Sequence, residues 1–179
     1  DGTSTAGLTA IAAQDGDAVI TVTDAVNLAQ FNTLDAATSS DLVLTGGISD
    51  TAANLSPSGT DSADFTAAVT QDPDVAVTVT GTNPTVAELN AIAAATAGTV
   101  TATISGDIAT LSGLATSSTD AISVTVTDAV SVAQFNTLDG KTNVDIVLTG
   151  GVTDAALAFA ATDGTSTAGL TAIAAQDGD

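Results

Sequence analysis

The sequence contains no cysteine, histidine, methionine, tryptophan or tyrosine. Each absence excludes something. Without His or Cys, the usual general base and thiolate nucleophile are missing. Without Cys there are no disulfides, and the redox compartment stays open. Losing Cys and Met together removes the oxidisable side chains, which suits exposed, long-lived material. Basic residues are almost absent as well: Lys141 stands alone against 21 acidic residues, for a net charge of −20. Phosphate contacts need Lys and Arg, so a nucleic-acid binder of that kind is excluded. Docking onto anionic lipid is disfavoured for the same reason. No stretch reads as a signal peptide or as an apolar run long enough to span a bilayer, so membrane insertion is not expected and any targeting segment would lie outside this sequence.

What is present is a patterned set of small apolar residues. Hydrophobic residues make up 44% of the chain, too many for a chain kept disordered by charge. Val, Ile, Leu and Ala recur in short runs with only four Phe among them. A thick globular core would normally use larger side chains, whereas a thin repetitive one needs none.

The repetition is literal. Residues 1–17 and 163–179 both read DGTSTAGLTAIAAQDGD, an offset of 162. The sequence is therefore expected to be one 162-residue period plus the start of the next, within a chain that continues in both directions. A finer repeat lies inside. VITVTDAVNLAQFNTLD (19–35) returns as SVTVTDAVSVAQFNTLD (123–139), with VTVTGTNPTVAELNAIA (77–93) as a diverged copy. LTAIAAQDGDAVITVT (8–23) returns as FTAAVTQDPDVAVTVT (65–80). These copies set sub-repeats at 1–57, 58–104 and 105–162.

Each sub-repeat changes period along its length. VITVT alternates as a strand does, with Ile20 and Val22 on one face and Thr21 and Thr23 on the other. Asn27–Gln30, Thr85–Glu88 and Ser131–Gln134 then fit a capping box. Apolar residues come next at helical spacing: Leu28, Phe31, Leu34; Val86, Leu89, Ile92; Val132, Phe135, Leu138. A second strand is expected at Leu42–Thr45, Val100–Ile104 and Ile146–Thr149, with a turn at Gly46-Gly47 and Gly150-Gly151. A second helical piece is expected at Phe65–Gln71, Ile108–Ala115 and Leu170–Gln176, and an extra loop or short strand at Thr51–Thr60 and Ala155–Gly164.

The order β-α-β-α predicts an α/β fold with parallel strands. Six strand–helix coils per period would stack as a tandem-repeat solenoid with one continuous parallel sheet, each coil burying its neighbour's apolar face. At about 4.8 Å per strand, one period would advance roughly 29 Å. A string of β-sandwich domains is the alternative, and the repeated capping boxes argue against it.

Three sets of residues are candidates for function. Asp15 and Asp17, Asp72 and Asp74, and Asp177 and Asp179 form Asp-x-Asp pairs just before strands. Asp24/Asp128, Asp35/Asp139, Asp41/Asp145 and Asp50/Asp154 recur at equivalent places. Stacking would bring like charges together, and Ca²⁺ would relieve the repulsion; turn-shaping and capping by Asp is the simpler alternative. Neither an EF-hand loop nor the repeat-toxin nonapeptide is present. The second set is the Thr-x-Thr pairs Thr21/Thr23, Thr78/Thr80, Thr101/Thr103 and Thr125/Thr127, which would form a flat hydroxyl face suited to ice, lateral fibre contact or O-linked sugar. Val43/Thr45 and Val147/Thr149 interrupt those rows. Catalysis is the third, and it has little to build on. Glu88 is accounted for as a capping residue, and Asp-Gly-Thr-Ser at 1–4 and 163–166 has the aspartic-protease residues in the wrong order. Asn54-Leu-Ser is a lone glycosylation sequon, and Gly46-Gly47 lacks phosphate-loop spacing.

VTVTDAVSVAQFNTLD and PTVAELNAIAAATAGTVTATISG resemble the repeats of very long secreted surface proteins of bacteria, those of cyanobacteria and marine bacteria above all. The resemblance covers most of the chain and implies an extracellular or cell-surface adhesin stalk, sheath or matrix fibre. No catalytic residue carries over from it. The expectation is a structural, non-enzymatic module that self-associates end to end or laterally into fibres. The alternative is a binding module, acting on ice through the Thr face or through Ca²⁺-dependent attachment.

Overall fold

The computed structural model describes residues 13–176, together with Gly7 and Ala10. The helices it describes are α1 (Leu28–Asp35), α2 (Ala52–Leu55), α3 (Ala63–Gln71), α4 (Val86–Ala95), α5 (Ile108–Leu111), α6 (Val132–Asp139), α7 (Ala156–Phe159) and α8 (Ala168–Gln176). The strands are β1 (Ile48–Thr51), β2 (Val77–Thr80), β3 (Val100–Gly106), β4 (Ala121–Val126) and β5 (Val147–Leu148). Among the described residues, no helix is long and apolar enough to cross a membrane.

The fold is α/β, and its strands form one five-stranded parallel sheet in sequence order, β1-β2-β3-β4-β5. Ile48 pairs with Val77, Val77 with Val100, Thr101 with Ala121 and Thr125 with Val147. Parallel neighbours need a crossover. Here α2 and α3, then α4, α5 and α6 in turn, supply it.

Local chemistry starts these helices where the sequence puts them. Asn27, Thr85 and Ser131 each accept from the amide three residues on, and Gln30, Glu88 and Gln134 each return to the cap's own amide, completing three capping boxes. In these three helices the apolar residues turn inward, burying Leu28 and Phe31, Leu89 and Ile92, and Val132, Phe135 and Leu138. Alternation turns Val100, Ala102 and Ile104 of β3, and Ile122, Val124 and Val126 of β4, toward the same interior. There they join Phe31, Phe65, Leu89, Ile92, Leu111 and Phe135 in a single core.

Several elements differ from expectation. The runs at Ile20–Thr23 and Leu42–Thr45 meet in one parallel bridge, Thr21↔Val43, and pairing resumes only at Val26↔Ile48. The cause is the Gly46-Gly47 turn between those contacts, with Gly47 at φ +77. The main strand, β1, lies beyond that turn, where the alternation did not mark one. Gly150-Gly151 acts the same way, reducing Ile146–Thr149 to β5 and leaving an isolated Val130↔Val152 bridge. The helix expected to reach Ala115 stops at Leu111, where Ser112 caps it and the chain turns at Gly113. Thr51–Thr60 holds α2 and a 3-10 turn at Pro57–Gly59, and Ala155–Gly164 holds α7. The sandwich alternative has no second sheet among the described residues to rest on.

Candidate functional site: polar clamps between neighbouring segments

A helix leaves its first amides without intrahelical partners. In α1 the local cap, Asn27, satisfies the Gln30 amide. The Leu28 amide at the first helical position donates instead to Asp50 Oδ2 at 3.0 Å, 22 residues further on. The arrangement recurs. Ile108 at the start of α5 donates to Asp128 Oδ1 at 2.8 Å, and Val132 at the start of α6 to Asp154 Oδ2 at 3.1 Å. Each helix start is thus closed twice, by its own cap and by a carboxylate from the following segment. The helix dipole favours a negative charge there as well. Asp120 Oδ1 receives the Val100 amide at the head of β3, and Asp72 Oδ2 the Leu44 amide.

Amide side chains make a second clamp. Gln71, the last residue of α3, accepts from the Leu42 amide at 2.9 Å and donates to Asp35 at the end of α1. Gln176, the last residue of α8, accepts from Ile146 at 2.8 Å and donates to Asp139 at the end of α6. Threonine makes a third. Thr38, Thr96 and Thr142 donate to the carbonyls of Ala18, Val75 and Ile122, at separations of 20, 21 and 20 residues. Each also accepts from the amide two residues on.

Asp50, 9% exposed, is one of two buried clamping carboxylates, the other being Asp120 at 5%. Burial alone would raise the proton affinity of Asp50. The Leu28 amide, the Asn54 side chain and the Thr51 amide together outweigh that and hold it below the ordinary 3.8. Asp50→Ala strands the buried Leu28 amide, and a loss of about 1–3 kcal/mol is expected from urea unfolding. Asp50→Asn keeps an acceptor and should lose less.

The Thr85 amide holds Glu88 below its ordinary value, the Thr110 amide does so for Asp107, and the Thr165 hydroxyl for Asp163. A carboxylate with a depressed folded pKa stabilises fully above its unfolded value and loses that contribution as pH falls through the folded one. Asp15 has the opposite sign. A hydrogen bond from its protonated carboxyl to Asp17, and then the negative charge of Asp17, raise its affinity for a proton, so this pair favours the fold less as pH rises. The melting temperature is therefore expected to drop between about pH 4 and pH 2. In Asp50→Asn the drop should be shallower, as a thermal melt series would show.

The structure sorts the expected metal ligands into separate places. Asp15 and Asp17 share one exposed turn. Asp72 and Asp74 line a groove with Val43, Thr45 and Ala76, but Asp72 is already committed to Leu44. Asp177 and Asp179 lie outside the described residues. Among the described residues, no three carboxylates come together as a metal cluster. Where equivalent aspartates recur, as in Asp50/Asp154 and Asp35/Asp139, they are set against amide donors.

Thr78, Thr80, Thr101, Thr103 and Thr125 fall on the outer face of the sheet, whereas Thr21 pairs only in the isolated bridge to Val43 and Thr23 and Thr127 lie outside the strands. Ser49, Thr78 and Thr101 follow one another across β1–β3, as do Thr101/Ala121, Thr103/Ser123 and Ser105/Thr125 across β3–β4. Val43 and Val147 stand exposed opposite Thr21 and Thr125, where they interrupt the rows. The clamping roles of Gln71, Gln176, Thr38, Thr96 and Thr142 were missed. Their one sequence signal is recurrence: a Gln closing a helix, and a Thr just ahead of a strand.

Comparison with protein-family models, with curated proteins and with solved structures finds no match for this chain.

Proposed function

We propose that this chain is a load-bearing repeat of an extracellular filament or adhesin stalk, a solenoid whose segments wind about one axis, without catalytic activity. The observation carrying this reading is the pair of matching clamps. Asp50–Leu28 inside the first sub-repeat and Gln71–Leu42/Asp35 across its end correspond bond for bond to Asp154–Val132 inside the third and Gln176–Ile146/Asp139 across its end. Side-chain bonds to backbone about 20–30 residues away couple each segment to the next, and a continuous parallel sheet would pass tension along the same direction. A net charge of −20 keeps such a fibre soluble and discourages indiscriminate association. Small-angle scattering on chains of one, two and four periods tests it. Length should grow by about 29 Å per period at constant cross-section. Independent globules on flexible tethers would refute it.

The hydroxyl rows support a second reading. The outward hydroxyls of Thr78, Thr80, Thr101 and Thr103 are exposed, free to bind an ordered flat surface such as ice. Thermal hysteresis in a solution of the chain tests this, and its absence removes the reading. Among the described residues, Ca²⁺ is best placed at Asp15 and Asp17, whose neighbouring carboxylates a divalent ion would hold together. A melting midpoint unchanged by EDTA would discard it.

A further inference from the structure

We propose that the backbone edge at Val152–Ala155 is a docking site for Ile20–Thr23 of a second copy of this sequence, joined in cis as the following repeat. The added segment forms a parallel strand in the register Val152↔Ile20, Thr153↔Thr21, Asp154↔Val22 and Ala155↔Thr23. The inference rests on the filament reading and fixes the joint that reading requires.

The edge is already shaped like β1. Ile48 bridges Val26 on one side, and Val152 bridges Val130. The Ser49 amide donates to Val26 at 2.8 Å, and the Thr153 amide to Val130 at 2.8 Å. Asp50 takes the Leu28 and Thr51 amides, and Asp154 takes the Val132 and Ala155 amides. The difference is on the far side. There Ile48–Thr51 pairs with β2, from Ile48↔Val77 to Thr51↔Thr80. Val152–Ala155 has no strand there among the described residues.

The chain leading to that edge is also in place. Helix α3 ends at Gln71, locked to Leu42 and Asp35, and the chain then turns through Asp72-Pro73-Asp74 into β2. Helix α8 ends at Gln176, locked in the same way to Ile146 and Asp139. The three residues after Gln176 are Asp-Gly-Asp, as at 15–17, and in this sequence that tripeptide leads into AVITVT at 18–23. Aligning LTAIAAQDGDAVITVT with FTAAVTQDPDVAVTVT puts Ile20 on Val77, which sets the register. Strand addition of this kind takes its affinity from backbone hydrogen bonds, and the Gln176 lock delivers the strand at high effective concentration.

The test is a two-copy chain in which residues 18–179 follow Asp179. It carries Thr153→Cys in the first copy and Thr21→Cys in the second. Both threonines are exposed, and the native sequence has no competing thiol. In-register neighbours lie about 4.8 Å apart, within disulfide reach. Oxidation should join this pair at least about tenfold faster than Thr153→Cys with Thr23→Cys, two residues out of register. Equal rates, or no bond in either pair, overturn the proposal. Scattering from the same chain separates the two ideas. A rod lengthened by one period without the in-register bond refutes this joint alone, whereas two independently tumbling bodies refute the filament as well.

Discussion

Phe65→Ala is expected to cost about 3–5 kcal/mol, because truncating a buried Phe removes its transfer energy and leaves a cavity that a packed interior closes only in part. Phe65 is fully enclosed, as is Phe31, and Phe135 is nearly so. They stand among valines, isoleucines, leucines and alanines with no other large side chain to fill the space. Phe65 sits in the first turn of α3, where its own amide donates to the Ser62 cap. It thereby ties the start of α3 to the interior while Gln71 ties down its end. Phe159, in α7, is only half-buried, and Phe159→Ala should cost far less. Urea titration distinguishes the outcomes. A lower midpoint at unchanged slope means the whole chain still unfolds together, whereas a reduced slope means the segment around α3 melts first. A cost near 1 kcal/mol would show that the site collapses around the smaller side chain.

Where the sequence was legible, a local rule sufficed. Asn27, Thr85 and Ser131 needed only the residue three further on to complete a capping box, and all three did so. Parallel pairing followed from strand–helix alternation. What could not be read locally was set by contacts from about 20 residues away. Leu42–Thr45 has a strand's composition, yet its pairing is decided by where Gly46-Gly47 bends the chain, so β1 forms beyond the turn. Asp50 reads as an acidic turn residue because the amide it serves, Leu28, lies a whole segment earlier. The same distance hid the fate of the repeated charges. Equivalent aspartates were expected to face one another, whereas Asp50 and Asp154 each face the positive end of a helix. Nothing local marks Thr142, yet it is buried, with its hydroxyl serving the Ile122 carbonyl and the Val144 amide at once.

The glycine pairs carry the other large expected effect. Gly46 and Gly150 do not have the positive φ that makes glycine obligatory; their partners Gly47 and Gly151 do, at +77° and +71°. What holds the first glycine of each pair is proximity. A Cβ on Gly46 would lie 2.2 Å from the carbonyl carbon of Asp24, and one on Gly150 would lie 2.1 Å from that of Asp128. Those are backbone atoms, with no flexible end to swing aside, so two neighbouring segments would have to part. Parting them pulls on the Gly46 amide bond to Val22 and the Thr45 hydroxyl bond to the same carbonyl. Around Gly150 it pulls on the Thr149 amide and hydroxyl bonds to Val126. Gly46→Ala and Gly150→Ala are each expected to cost about 3 kcal/mol, at the upper end for overpacking. Two controls isolate the cause. Gly151→Ala meets open space but keeps a positive φ, so only the conformational penalty of about 1 kcal/mol should remain. Gly140→Ala has ordinary contacts, the nearest at 3.8 Å, and φ −68, so it should be neutral or slightly stabilising through the unfolded chain. Were all four to cost the same in thermal melts, the Gly-Gly signature would be a turn preference alone. The ranking expected here makes its first glycine the point where adjoining segments touch, main chain on main chain.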